Sequence, residues 1–386
     1  MDGVPPVPTD PDRHPVADAD PDVHAELDPD TVFVLSRPHG TVVARGVAAG
    51  FSDVGAAQAA LADGSASAVV GALPFDTADA PTLIAPESVA VTDTPLPGIT
   101  PTPHGIVTES THPSPDEHRR RVAEVVERIR RGDAEKVVLA RSVDVRVTPR
   151  VEIGELLGAL AGGNPEHNAF AVDLDRDGSR WLLGASPELL VRKRGREVTC
   201  HPYAGTAARG ADSASDDAAA AALTASTKDR VEHAHVVDHL RDRLARWCTD
   251  VEAPTEPQLT ATGELWHLAT PIRATVRDEA TTVLDLALDL GPTPAVGGTP
   301  RDAAVDIIAE TEEPRRFYAG AVGWCDANGD GEWMVAIRCV EVAADREQLR
   351  MWAGGGLVAA SDPDAELAET TAKLRTVRSA LGITDV

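Results

Sequence analysis

The chain has 386 residues, 42% of them hydrophobic, and carries 62 acidic against 36 basic side chains, a formal charge of −26. Such a composition belongs to a globular chain of one large or two modest domains with ample capacity for a buried core. The acidic excess excludes nucleic-acid binding through phosphate contacts and docking on anionic lipid, and an anionic small molecule can be held only where the site brings its own cations or a metal.

Residues 1–30 are rich in Pro and Asp and read as a flexible tail, because they cannot bury enough apolar surface to order themselves. Strand-like alternation begins at Thr31, with TVFVLS and TVVARGVA separated by the turn residues Pro38, His39 and Gly40. SASAVVGALPF and APTLIAPESVAV continue as short strands, and residues 95–117 form a proline-rich connection. Pro115, Asp116 and Glu117 open a strongly periodic helix that stops at Gly132. KVVLARSVDVRV is a strand, VEIGELLGALAGG a helix ending in glycines, and AFAVDLD and WLLGAS two strands around the turn DRDGS. Residues 217–248 read as one long helical stretch, 332–359 as a hairpin and 364–381 as a final helix. Strands and helices without regular βαβ alternation indicate an α+β fold. The four cysteines are widely spaced with no CxxC pair and suit a reducing compartment. There is no cleavable leader pattern and no apolar run approaching ~18 residues, so a cytoplasmic chain without membrane contact is expected, and a monomer.

Only four of the basic residues that are not histidine are lysine: Lys136, Lys193, Lys228 and Lys373. A composition that has exchanged nearly all its lysine for arginine keeps lysine where arginine cannot substitute, and only a buried lysine can give up its proton near neutral pH. The four therefore point to a candidate active site. Lys136 can pair with Glu188, which follows the Ser186-Pro187 turn, as a base and an acid on opposite sides of a substrate.

Two helices each carry carboxylates at i, i+3: Asp229 with Glu232, and Glu366 with Glu369. Hard oxygen ligands in that number suit Mg²⁺, which keeps waters and takes one or two protein carboxylates besides the substrate; solvated acidic faces are the alternative reading of the same spacing. Asp326, Asn328 and Asp330 begin like a calcium loop, but Ile337 stands where a bidentate Glu is needed, so they read as a hairpin turn. His235 and His239 share a helix face without an HExxH pattern and read as packing residues. The run Ala353-Gly354-Gly355-Gly356 can offer backbone N–H groups to a carboxylate and matches no nucleotide-binding fingerprint.

Taken together, KVVLAR (136–141), LLGASPELLVRK (182–193), PYAGTAARG (202–210), KDRVEH (228–233), LWHLATPI (265–272), GPTPAVGGTPRDAA (291–304), RRFYAGAVGW (315–324), AIR (336–338), AGGGLV (353–358) and ELAETTAK (366–373) resemble the chorismate-utilising enzymes. Their order and spacing are similar to the isochorismate synthase branch. The resemblance implies large antiparallel sheets flanked by helices, with residues 31–114 as a strand-rich N-terminal part and 115–386 as the chorismate-binding catalytic region. It implies a Mg²⁺-dependent isomerisation of chorismate to isochorismate. In this reading Lys136 activates water for attack at C2, and Glu188 protonates the departing C4 hydroxyl. Glu232 and Glu369 hold Mg²⁺, with Asp229 and Glu366 behind them. Arg338 and Tyr318 bind the enolpyruvyl carboxylate, helped by the backbone around Gly354 and Gly356. Gly205, Thr206, His267 and Lys373 line the ring pocket. Relatives that add ammonia carry glutamine where Lys136 stands, and salicylate-forming relatives tend to carry threonine at Ala295; a salicylate synthase is the alternative, and a silent homologue a second. Gly291 replaces a usual histidine and Gly355 a commoner alanine. The compact length resembles the siderophore (dihydroxybenzoate) enzymes.

Overall fold

The computed structural model describes residues 27–262 and 265–383. Most of the tail expected at 1–30 lies outside them; within them, Leu27 packs against the core.

Two large antiparallel sheets lie face to face. From edge to edge the first runs Gly298–Thr299, Lys136–Thr148, Gln348–Leu357, Cys339–Val342, Trp181–Gly184, Ala169–Asp173, Thr31–Arg37, Gly40–Arg45 and Ser88–Thr92. Gly105–His112 also pairs with the long Lys136–Thr148 strand, so the proline-rich connection expected at 95–117 contains a strand. The second sheet runs Cys248–Glu252, Ile272–Val276, Glu197–His201, Leu189–Arg194, Gly331–Val335, Ala321–Asp326, Ala68–Leu73, Thr82–Ala85 and Ala49–Phe51. Each sheet thus draws strands from both 31–114 and 115–386. A small third sheet joins Tyr203–Ala208, Leu265–Ala269 and Gln258–Thr262.

The first sheet is buried on both faces, which explains its unbroken apolar runs. Phe33, Leu35 and Leu182 point towards the second sheet, whereas Val34, Leu183 and Val340 point to the other side, against the helices Ile153–Gly162 and Pro363–Ala380. The 332–359 stretch is three strands, not one hairpin. Gly331–Val335 belongs to the second sheet, and the chain crosses to the first before Cys339–Val342 and Gln348–Leu357 pair. That crossing is where Arg338 sits.

The helical stretch at 217–248 is also divided. Ser213–Ala225 ends and Thr227–Trp247 begins afresh at Ser226, whose hydroxyl accepts from the Asp229 N–H as a helix cap. Periodicity alone cannot show such a break, because alanine and serine are tolerated on either side of it. The break places Lys228, Asp229 and Glu232 in the first two turns of a new helix, directed by its own docking and not by that of the alanine-rich segment. The helix Pro115–Arg130 follows its sequence signals: Ser114 caps it, Pro115 opens it, acids occupy the first turn and arginines the last.

Candidate active site

Strands of the first and third sheets, with the loops leading into and out of the second, surround one cleft, lined among others by Glu188, Gly205, Thr206, Glu232, His267 and Ala295. Tyr318, Arg338, Gly354, Gly356 and Lys373 complete the wall on the remaining sides. Residues far apart in sequence arrive there by strand register and helix docking.

Lys136 starts the long first-sheet strand opposite Thr299 and is fully buried, its Nζ 3.0 Å from Glu232 Oε1. The contact is an ion pair at hydrogen-bonding distance, but the Nζ is poorly aligned for a hydrogen bond. Two strands lie side by side here, with Gly356 opposite Val138. A Cβ on Gly356 would fall 2.2 Å from Glu232 Oε1, so only glycine leaves the carboxylate its place. Burial opposes the Glu232 charge, but Lys136, then Lys373 and Lys228, hold the carboxyl below its ordinary value.

Glu188 is buried at the loop entering the second sheet, and burial pushes its carboxyl up to about 8, although Lys136, the Tyr203 N–H, Arg338 and Lys373 all pull the other way. The carboxyl is therefore an acid at neutral pH. His267 is held well below its usual range by burial and then by Arg338 and Lys373, so it is neutral. Its Nδ1 lies 3.1 Å from Thr206 Oγ1, while Nε2 is buried without a partner. Tyr318 stacks on Trp352 with ring centroids 5.8 Å apart, and burial raises its phenol. Beneath that pair, Arg315 forms a buried ion pair with Glu312 at 2.7 Å, and Glu312 also accepts from the Ala140 N–H. Arg315 and Glu312 support the cleft wall and were not singled out from sequence, although Arg315 lies in a recognisable block.

The remaining carboxylates gather behind the cleft. Lys228 lies 3.0 Å from Glu366 Oε1 and Lys373 2.6 Å from Glu369 Oε1, with Lys373 also donating to the Gly354 carbonyl. Glu366 Oε2 is buried and unpartnered, and burial followed by the charge of Glu369 raises the carboxyl. Asp229 is raised by burial, with Glu232 and Glu369 adding to the shift. Among the described residues, no group of three His, Cys, Asp or Glu side chains stands in ready metal-ligating geometry. The set still fits a hard divalent cation: it is all oxygen, mutually repelling, and has one orphaned oxygen and a cradle that any Cβ would fill.

Three of the four lysines thus surround the site, and the fourth does not. Lys193 pairs with Asp330 at 2.8 Å beside the hairpin that joins Ala321–Asp326 to Gly331–Val335. The hairpin itself is closed by Asp326, which accepts from the N–H groups of Asn328 and Asp330. His239 is held by the Leu290 carbonyl. Gly291 lines a separate apolar cavity beside Leu190 and Ala287, and Ala295, four residues on, reaches the cleft. Tyr203, Pro187 and Ile337 also line the cleft; each lies within two positions of a residue chosen from sequence, and that nearness was their only signal.

A family model described as chorismate binding enzyme matches residues 87–382. A Mycobacterium tuberculosis protein, provisionally named isochorismate synthase MenF, is 45% identical over 369 residues, covering 93% of this chain and 98% of its own. Isochorismate synthase DhbC of Bacillus subtilis is 38% identical over 375 residues, covering 91% and 94%. A crystal structure from Bacillus anthracis, provisionally assigned as a 2,3-dihydroxybenzoate-specific isochorismate synthase, superposes with a TM-score of 0.86 at 35% identity, covering 93% of this chain and 98% of that one. The chain belongs to the chorismate-binding enzyme family.

Among the described residues, no helix is long and apolar enough to cross a membrane.

Proposed function

We propose that the protein is an isochorismate synthase, an isomerase that converts chorismate to isochorismate. Water adds at C2 of the ring, the double bond shifts, and the C4 hydroxyl leaves. Lys136 takes the proton from the attacking water, and Glu188 gives its own proton to the departing hydroxyl, so water is consumed and released in equal number. The observation that carries this reading is the pair itself. A fully buried lysine, paired with Glu232 but poorly aligned for a hydrogen bond to it, acts on the buried carboxyl of Glu188, which is raised to about 8, and this is the division of roles that acid–base catalysis needs.

The substrate is a dianion held by an acidic protein, and the site supplies the missing charge. Arg338 and Tyr318 receive the enolpyruvyl carboxylate, helped by the backbone at Gly354 and Gly356, while Gly205, Thr206, His267 and Lys373 line the ring and carboxylate pocket. Glu232 and Glu369 would hold Mg²⁺, with Asp229 and Glu366 behind, and the ion would neutralise the ring carboxylate. Ala295 offers no hydroxyl where salicylate-forming relatives tend to have one, which supports release of isochorismate without loss of pyruvate. Compact length does not separate the siderophore branch from others, since a relative named MenF is matched over 98% of its length. Chromatography of chorismate incubated with enzyme and Mg²⁺ tests the proposal. Isochorismate as sole product is expected, salicylate with pyruvate supports a salicylate synthase, and unchanged chorismate overturns an enzyme of this kind.

A further inference from the structure

Arg338 is nine-tenths buried, yet among the described residues its guanidinium has no carboxylate within ion-pair distance and no hydrogen-bond partner, and its φ of 51° puts it in the left-handed region that a long side chain rarely adopts. An unpaired buried guanidinium is costly, so its place is explained by an anion that comes and goes. One such anion belongs to the cleft. The cleft itself is narrow, however, with a volume of about 60 Å³, well below the roughly 300–1,000 Å³ of small-molecule sites. A ligand can enter only if a wall yields.

A second cavity of about 240 Å³ lies on the other side of Arg338 and shares with the cleft only Pro187 and Arg338. Its polar lining besides Arg338 is Asn164, Thr262, Thr376 and Ser379, and it reaches the surface at Gly162, Gly163 and Ser379, between the helices Ile153–Gly162 and Pro363–Ala380. Among the described residues no ion pair or hydrogen bond pins the guanidinium in the dividing wall. We propose that this cavity is a side port through which small carboxylate ligands reach or leave the cleft, with Arg338 as the pivot that offers a carboxylate the same cation on either side. The ligand class rests on the chorismate reading; the existence of an anion-selective port does not.

The four native cysteines are buried, so a cysteine introduced at Thr376 or Ser379 is the accessible thiol. Two thiol reagents of equal size, an anionic and a cationic methanethiosulfonate, are timed on full-length Thr376→Cys. The anionic reagent should react about tenfold faster, and that preference should vanish in Thr376→Cys with Arg338→Gln. A preference that is absent, or that persists without Arg338, overturns the port. This test needs no turnover, so it stands even if chorismate is not converted, an outcome that would sink only the functional reading. In the active enzyme, Ser379→Trp should lower kcat/KM for chorismate about tenfold by closing the route, whereas Ser379→Ala should leave it unchanged. If Ser379→Trp folds with the wild-type melting temperature and keeps full kcat/KM, ligand does not pass this way.

Discussion

Lys136 and Lys193 are a natural experiment within one molecule. Their side chains are 0% and 2% exposed and lie 3.0 and 2.8 Å from Glu232 and Asp330. Everything around the two pairs differs. Lys193 donates to Asp330 and reaches the Asn328 carbonyl, and Asp330 also accepts from the Gly195 N–H, so the polar groups there are satisfied by one another. Lys136 has a charge partner but no well-aligned hydrogen bond, a glycine beside it in place of packing, and the raised carboxyl of Glu188 within reach of its charge. Burial and an ion pair are therefore common to Lys193 and to the lysine proposed as the base. What separates them is unmet bonding capacity, which a folded protein keeps only where something else supplies the missing partner.

The largest expected effect breaks the comparison on the metal side. Exhaustive chelation should abolish chorismate conversion and added Mg²⁺ restore it, and Glu232→Gln or Glu369→Gln should be inactive with an unchanged circular dichroism spectrum. Full activity after chelation would remove the metal from the account. Next comes the lysine exchange: Lys136→Arg should lose about 10²–10⁴-fold in rate, since arginine cannot accept the proton, whereas Lys193→Arg should turn over normally. A Lys136→Arg enzyme retaining a tenth of the wild-type rate would make Lys136 as structural as Lys193. Lys136→Gln should lose water addition as well and admit ammonia weakly.

The pH profile gives a third measurement. In its proposed role Glu188 must be protonated, and its carboxyl is raised to about 8, so the rate should hold through neutrality and fall about tenfold per pH unit above 8. The same shift predicts stability. A carboxyl raised in the folded state supports folding fully at low pH and loses that support as pH rises through about 8. Glu188→Gln should therefore be inactive, and its melting-temperature advantage over wild type should grow between pH 5 and 8.5. An advantage independent of pH would show that Glu188 is ionised throughout. A smaller effect lies at the other lysine: Lys193→Met should cost about 1–3 kcal/mol of stability, because Asp330 is part-exposed and water replaces some of the lost partner, while kcat stays unchanged. The smallest concerns the whole surface. With a charge of −26, moderate salt should raise the melting temperature by screening self-repulsion, and a flat or falling response would count against it.

Much of this molecule is carried by short-range pattern. The caps and charges of Pro115–Arg130, the two-sided apolar runs of the first sheet and the ten ordered blocks are all local, so sequence determined the helix, the α+β class and the set of residues that could meet. Local pattern does not contain the break at Ser226, where a hydroxyl can serve the helix or cap a new one, nor the crossing of Arg338 between sheets. Lysine retention alone could not tell Lys193 from Lys136 either; only the family resemblance gave Lys136 a role and Lys193 none. Only the tertiary structure decided those points, because they depend on which backbone lies beside which. Gly356 meets Glu232 through strand register and helix docking, and a bonding deficit at Lys136 exists only once distant segments have taken their places around it.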